Sequence, residues 1–156
     1  MIGHGIGNIW KSFLKKGINI PDYKISSIGP ANIIYEHGIT KRISTGLSFS
    51  YSNIKGFYNN SGFVFKDNLM IVTILGRFNY HFKLNKKIDT YIGFGLGYVY
   101  SKYSNSINTS SNNVPGEFGY SAQLGIKYNF VNRLGLYSEI GYVNGSFIQA
   151  GLCYSF

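Results

Sequence analysis

From Glu117 to Phe156, bulky apolar residues alternate with small or polar ones, and the alternation restarts at two short turns. Tyr120, Ala122, Leu124, Ile126, Tyr128 and Phe130 share one face, with Ser121, Gln123, Gly125, Lys127 and Asn129 on the other. Past Val131-Asn132-Arg133, the residues Leu134, Leu136, Ser138, Ile140 and Tyr142 oppose Gly135, Tyr137, Glu139 and Gly141. Past Asn144-Gly145, Ile148, Ala150, Leu152, Tyr154 and Phe156 oppose Phe147, Gln149, Gly151, Cys153 and Ser155. A period of two is the strand period, because successive side chains leave a pleated backbone on opposite sides. Asn-Gly between two such runs predicts a tight hairpin, since both residues tolerate the positive φ of a type I′ turn.

The same pattern extends upstream. It predicts a weak first strand over 1–9, then strands over Ile28–Ile39, Ile43–Ser52, Asn68–Lys83 and Ile88–Lys102. Polar, breaker-rich stretches at 10–27, 57–67 and 103–116 read as long loops. Within the first, Lys11, Phe13, Leu14 and Lys15 can instead form one amphipathic helical turn. Long and short connections alternate, so long loops gather at one end of the strands and tight turns at the other. An even strand count puts both termini on the tight-turn side. The expected architecture is all-β: a single domain over 1–156 forming an eight-stranded antiparallel up-and-down transmembrane β-barrel.

Alternation alone does not say which face is outside, but volume does. An eight-stranded barrel has an interior just wide enough for side chains to fill. The Phe, Tyr, Leu and Ile of the apolar face are too bulky for it, whereas the Gly, Ser, Asn and Gln of the other face fit. An apolar exterior calls for lipid rather than water. Tyr35, Tyr51, Tyr80, Phe82, Tyr98, Tyr100, Tyr128, Phe130, Tyr142 and Tyr154 cluster near strand ends, as interfacial girdles require.

Composition agrees: charged residues make up only 13%, against 20 Gly, 14 Tyr and 12 Phe. The net charge of +9 comes from 15 scattered basic residues that form no helix-face stripe, so nucleic acid is not an expected partner. Cys153, the single cysteine, excludes an internal disulfide and a cysteine-based zinc site, and reads as a small apolar filler. No window approaches the roughly 20 apolar residues of a membrane helix. Met1 to Trp10 has neither a basic n-region nor an apolar h-region, so the chain reads as a mature or truncated form.

The runs TYIGFGLGYVY, SAQLGIKYNF, LGLYSEIGY and AGLCYSF resemble the small outer-membrane β-barrel proteins of Gram-negative bacteria, the OmpA/OmpX/OmpW-like group. The resemblance spans Ile28 to Phe156. It implies a bacterial outer-membrane location, contact with outer-membrane lipid and lipopolysaccharide, insertion by the barrel-assembly machinery through the terminal aromatic Phe156, and a monomer without a cofactor. A structural or surface-interaction role through the long loops follows. A narrow channel for ions or small apolar solutes is the alternative, and a soluble lipocalin-like carrier is another, since Gly7-Asn8-Ile9-Trp10 loosely matches a lipocalin Gly-x-Trp.

Six titratable residues fall on the inward face: Glu36, Arg77, His81, Asp89, Lys127 and Glu139. Charge inside a barrel is tolerable when paired and hydrogen-bonded. Hairpin register about the Leu84–Lys87 turn puts His81 opposite Asp89 and Arg77 near Gly93 or Gly95. Lys127 falls diagonal to Glu139, and Glu36 faces Gly46. Arg77 and Lys127 with Glu36 and Glu139 are therefore expected to form one central cluster, either a salt-bridged plug or the lining of an ion path. No catalytic, cofactor or metal residues are expected. Barrel lipid A deacylases use a Ser and a His near the outer lipid face, but the outward His4 and His37 lack a neighbouring Ser and acid. Gly3-x-Gly5-x-Gly7 is followed by no Lys-Ser/Thr and no helix, so it is not a phosphate loop.

Overall fold

The computed structural model describes residues 1–8, 24–60, 63–82, 87–105, 112–131, 133–143 and 145–155. Eight antiparallel strands form a closed barrel in sequence order: β1 (Ile2–Asn8), β2 (Lys24–Gly38), β3 (Ile43–Asn60), β4 (Phe63–His81), β5 (Ile88–Asn105), β6 (Asn112–Asn129), β7 (Leu134–Val143) and β8 (Ser146–Tyr154). The weak first strand closes it. Ile2 to His4 pair with Ile33 to Ala31 of β2, and Ile2 to Asn8 run against Leu152 to Ser146 of β8. Closure leaves the wall no edge, which is the condition for a sheet to stand in lipid.

The alternation sorts the two faces as volume requires. Ile33, Leu47, Ile74, Leu96, Leu124, Leu136, Ile140 and Leu152 point outward and are about half exposed or more. Asn32, Ser44, Ser48, Ser50, Thr73, Asn79, Ser121 and Gln123 point inward and are buried. Aromatic rings flank the aliphatic belt: Tyr35, Phe82, Tyr128, Phe130 and Tyr154 near the tight turns, and Tyr98, Phe118 and Tyr120 towards the other end. From Phe118 to Tyr128 a strand climbs about 34 Å, or about 26 Å along the axis of a barrel whose strands tilt about 40°. That matches the height of a membrane's apolar layer.

Two expected loops are largely strand. Residues 57–60 and 63–67 continue β3 and β4 as paired ladder from Gly56↔Asp67 to Asn60↔Phe63, leaving only 61–62 between the strands. Positions 103–105 and 112–116 likewise belong to β5 and β6, which pair to Tyr103↔Asn112 past a register shift between Val99 and Ser101. Asn and Ser in these stretches suggest loop, but a hairpin satisfies its own backbone groups, and Phe57, Phe63, Val64 and Phe65 favour the strand. In the expected loop 10–27, β2 begins at Lys24; the proposed turn at Lys11, Phe13, Leu14 and Lys15 lies outside the described residues, as do Trp10 and Phe156.

As a result β3 to β6 run 18, 19, 18 and 18 residues, whereas β7 and β8 have 10 and 9. One wall of the barrel is much taller than the other. At the low wall, Val143 pairs with Ser146 around the Asn-Gly hairpin, where Gly145 has φ 84° as the turn demands. A bulge between Ile140 and Val143, with Gly141 at φ 135°, breaks the alternation there. This corrects the expectation for Phe147, which is 58% exposed rather than inward.

Candidate functional site: an ion-paired lumen

Glycines determine where the long polar side chains fit. Arg77 on β4 lies between Gly46 of β3 and Gly95 of β5, so both neighbouring strands leave it room. Its guanidinium crosses the lumen to Glu139 on β7, with Nη2 2.5 Å from Oε1 and Nη1 donating to Oε2 at 3.3 Å. The two side chains are 1% and 0% exposed. Tyr91 on β5 donates to Glu139 Oε1 at 2.6 Å, and Gln149 on β8 donates to Oε2 at 2.6 Å. Tyr91 fits because it faces Gly125, where a Cβ would collide with its ring. Three strands are thereby tied to one buried carboxylate carried by a fourth, by charge-assisted bonds of the stronger class.

A second group lies closer to the tight turns. Glu36 on β2 accepts from Lys127 Nζ at 2.7 Å, from Asn79 Nδ2 at 3.0 Å and from the Ser44 hydroxyl. His81 Nε2 is 2.9 Å from Glu36 Oε1, and its Nδ1 is 2.8 Å from Asp89 Oδ2. Tyr91 stands between the groups: its ring is 5.2 Å from that of His81 and 4.9 Å from Lys127 Nζ. On the turn side, a cavity of about 640 Å³ opens over this layer, with Glu36, His81, Asp89 and Lys127 among its lining and Thr40 and Lys41 near its rim.

The register places Glu36 opposite Gly46 and Arg77 opposite Gly95, and Lys127 is diagonal to Glu139. Two expectations need correction. His81 pairs across the ladder with Tyr91, not Asp89, because Phe82 N bonds Thr90 O and the connection is longer than Leu84–Lys87; Asp89 reaches His81 diagonally. The single four-membered cluster divides in two, since the Lys127 ammonium reaches across to Glu36 and leaves Glu139 to Arg77. Sequence reading missed Tyr91, Gln149, Ser44 and Asn79. All four sit at inward positions of their strands, and that parity was the available signal.

Ser44, His81 and Asp89 stand in the order of a nucleophile, base and orienter, with Ser44 Oγ 2.8 Å from His81 Nε2. The chemistry does not follow. Both imidazole nitrogens lie within hydrogen-bond distance of carboxylates that only accept, an arrangement that favours the imidazolium, and an imidazolium has no lone pair with which to take the serine proton. The Ser44 hydroxyl is itself turned to Glu36. Among the described residues no three His, Cys, Asp or Glu side chains are placed to hold a metal ion. Counting His81 as a cation, the lumen balances Glu36, Asp89 and Glu139 against Arg77, His81 and Lys127. His4 and His37 are exposed on the outer face, and Cys153 is buried inside beside Ile34 and Tyr137.

No protein-family model and no curated protein matches the chain. Among solved structures it is similar to the crystal structure of Ail, the attachment invasion locus protein of Yersinia pestis, in complex with the heparin analogue sucrose octasulfate. That likeness has a TM-score of 0.49 at 13% identity and covers 97% of this chain and 89% of that one.

Proposed function

We propose that the chain is a non-enzymatic outer-membrane β-barrel, inserted as a monomer by the barrel-assembly machinery, whose lumen is closed by ion pairs. It serves envelope integrity or surface interaction through the strands that rise on its tall wall. The observation carrying this reading is the buried Arg77–Glu139 pair with Tyr91 and Gln149, which spans the lumen from β4 to β7. A conducting path would leave those groups hydrated rather than almost fully enclosed. The outward aliphatic belt supports lipid as the solvent, and supports it over the carrier reading, in which the apolar face would line a cavity.

Two measurements test this. Folded in detergent or lipid, the protein should migrate differently on SDS gels before and after boiling, because a closed hydrogen-bonded barrel resists SDS until heated. In planar bilayers it should show little steady conductance. A monomer soluble in plain buffer that takes up hydrophobic dye would favour the carrier, and robust conductance would favour the channel.

A further inference from the structure

We propose that the tight-turn end of the barrel carries a cationic rim that binds the phosphate groups of anionic glycerophospholipids in the leaflet facing the turns. The inference rests on the membrane-spanning reading above. It begins from the placement of the acids. The chain has six, of which Glu36, Asp89 and Glu139 are engaged inside the lumen. Asp67 and Glu117 lie towards the far end, on β4 and β6, and Asp22 lies in the segment between β1 and β2. Among the described residues, the outside of the tight-turn end therefore has no side-chain carboxylate.

The cations are distributed differently. Lys41 and Arg42 follow β2, Lys87 precedes β5 and Arg133 precedes β7, and all four are exposed. The rim adjoins the aromatic girdle. Arg42 Nη1 donates to the Tyr80 hydroxyl at 3.3 Å, and Tyr80 packs edge-on against Phe82 at 5.3 Å. This holds a guanidinium at the height where an embedded barrel meets headgroups. At the opposite end Lys55, Lys66 and Lys102 share the surface with Glu117 and Asp67.

A phosphodiester offers a delocalised negative charge and acceptor oxygens that suit arginine and lysine donors. Basic residues at a membrane surface are attracted to anionic lipid over about one Debye length. Lipid fits better than a soluble polyanion because the cations sit on three separate connections around the circumference, each beside the apolar belt, rather than in one patch.

The test places the protein in vesicles of phosphatidylcholine, with or without a fraction of phosphatidylglycerol, and measures the lipid shell with spin-labelled phosphatidylglycerol against spin-labelled phosphatidylcholine. The wild type should prefer the anionic lipid several-fold, less so as KCl is raised. The preference should fall towards one in the combined variant Lys41→Gln, Arg42→Gln, Lys87→Gln and Arg133→Gln. It should survive in Lys55→Gln, Lys66→Gln and Lys102→Gln. Boil-sensitive gel mobility reports that each variant has folded. A folded wild type without preference, or a preference lost only with the opposite-end lysines, overturns the rim. Failure of the wild type to fold in either vesicle overturns the membrane reading itself.

Discussion

Replacing Arg77 with alanine is the sharpest probe of the closed lumen. The Arg77–Glu139 contact is 2.5 Å and both side chains are essentially inaccessible, so solvent screening gives no discount. Removing the guanidinium leaves Glu139 buried with two neutral donors, Tyr91 and Gln149. Breaking a buried pair from one side costs about 3–5 kcal/mol, because the remaining charge is uncompensated. Gly46 and Gly95 flank the vacated site and bring no side chain to fill it. The only other lysine or arginine among the described inward residues is Lys127, already committed to Glu36. Arg77→Ala combined with Lys127→Met should therefore cost more than the sum of the single changes. Replacing the pair together, Arg77→Met with Glu139→Leu, should cost far less than Arg77→Ala alone, since no stranded charge remains. Urea titration of the barrel in vesicles, read by gel mobility and circular dichroism, gives the comparison. With slopes of about 1–3 kcal/mol/M, the single variant's midpoint should fall by more than about 1 M. An Arg77→Ala loss below about 1 kcal/mol would mean that water already reaches the carboxylate, and the ion-paired closure would be wrong.

Gly125→Val should destabilise the barrel by about 1–3 kcal/mol or more, because its Cβ meets the Tyr91 ring; Gly76→Val, on the outer face where a Cβ would make only an ordinary contact with the Leu96 carbonyl, serves as the tolerated control. Cys153, 4% exposed, should react slowly with a maleimide in the folded barrel and rapidly after boiling, and equal rates would place it outside the lumen. With the tight turns facing the periplasm, trypsin added to intact cells should spare Lys41, Arg42, Lys87 and Arg133 until the outer membrane is permeabilised. Cleavage at Arg42 in sealed cells would reverse the orientation.

Strand number, order and the two faces were legible because a period of two repeats wherever one face meets a different solvent from the other. Position 77 is arginine on the polar parity of its strand, and that alone directs it inward. What the sequence did not disclose depends on distance across the lumen. Glu139 is diagonal to Lys127 on the neighbouring strand, yet its partner is Arg77, three strands away, because closure brings β4 and β7 face to face. Local register cannot rank a diagonal neighbour against a partner across the interior. Strand ends were misjudged for a related reason. Asn59, Asn60 and Asn112 have turn chemistry, but backbone pairing in a long hairpin outweighs single-residue preference. The displaced register at His81 shows how an unread connection length carries through a hairpin, and the side chains still met because a histidine and an aspartate can bridge a diagonal.

The unequal wall heights leave a mark that isotopes can read. Along β6, Ala122 to Tyr128 have partners in both β5 and β7, whereas among the described residues Glu117 to Ser121, and Asn112 to Val114 past the register shift, pair with β5 alone. Successive residues of a strand turn their amides towards alternate neighbours. Deuterium should therefore enter Glu117 to Ser121 with a period of two: amides tied to β5 stay slow, and those between them exchange freely. In the lower half every amide should be slow. A single strand thus records, residue by residue, the height at which the wall stops being closed.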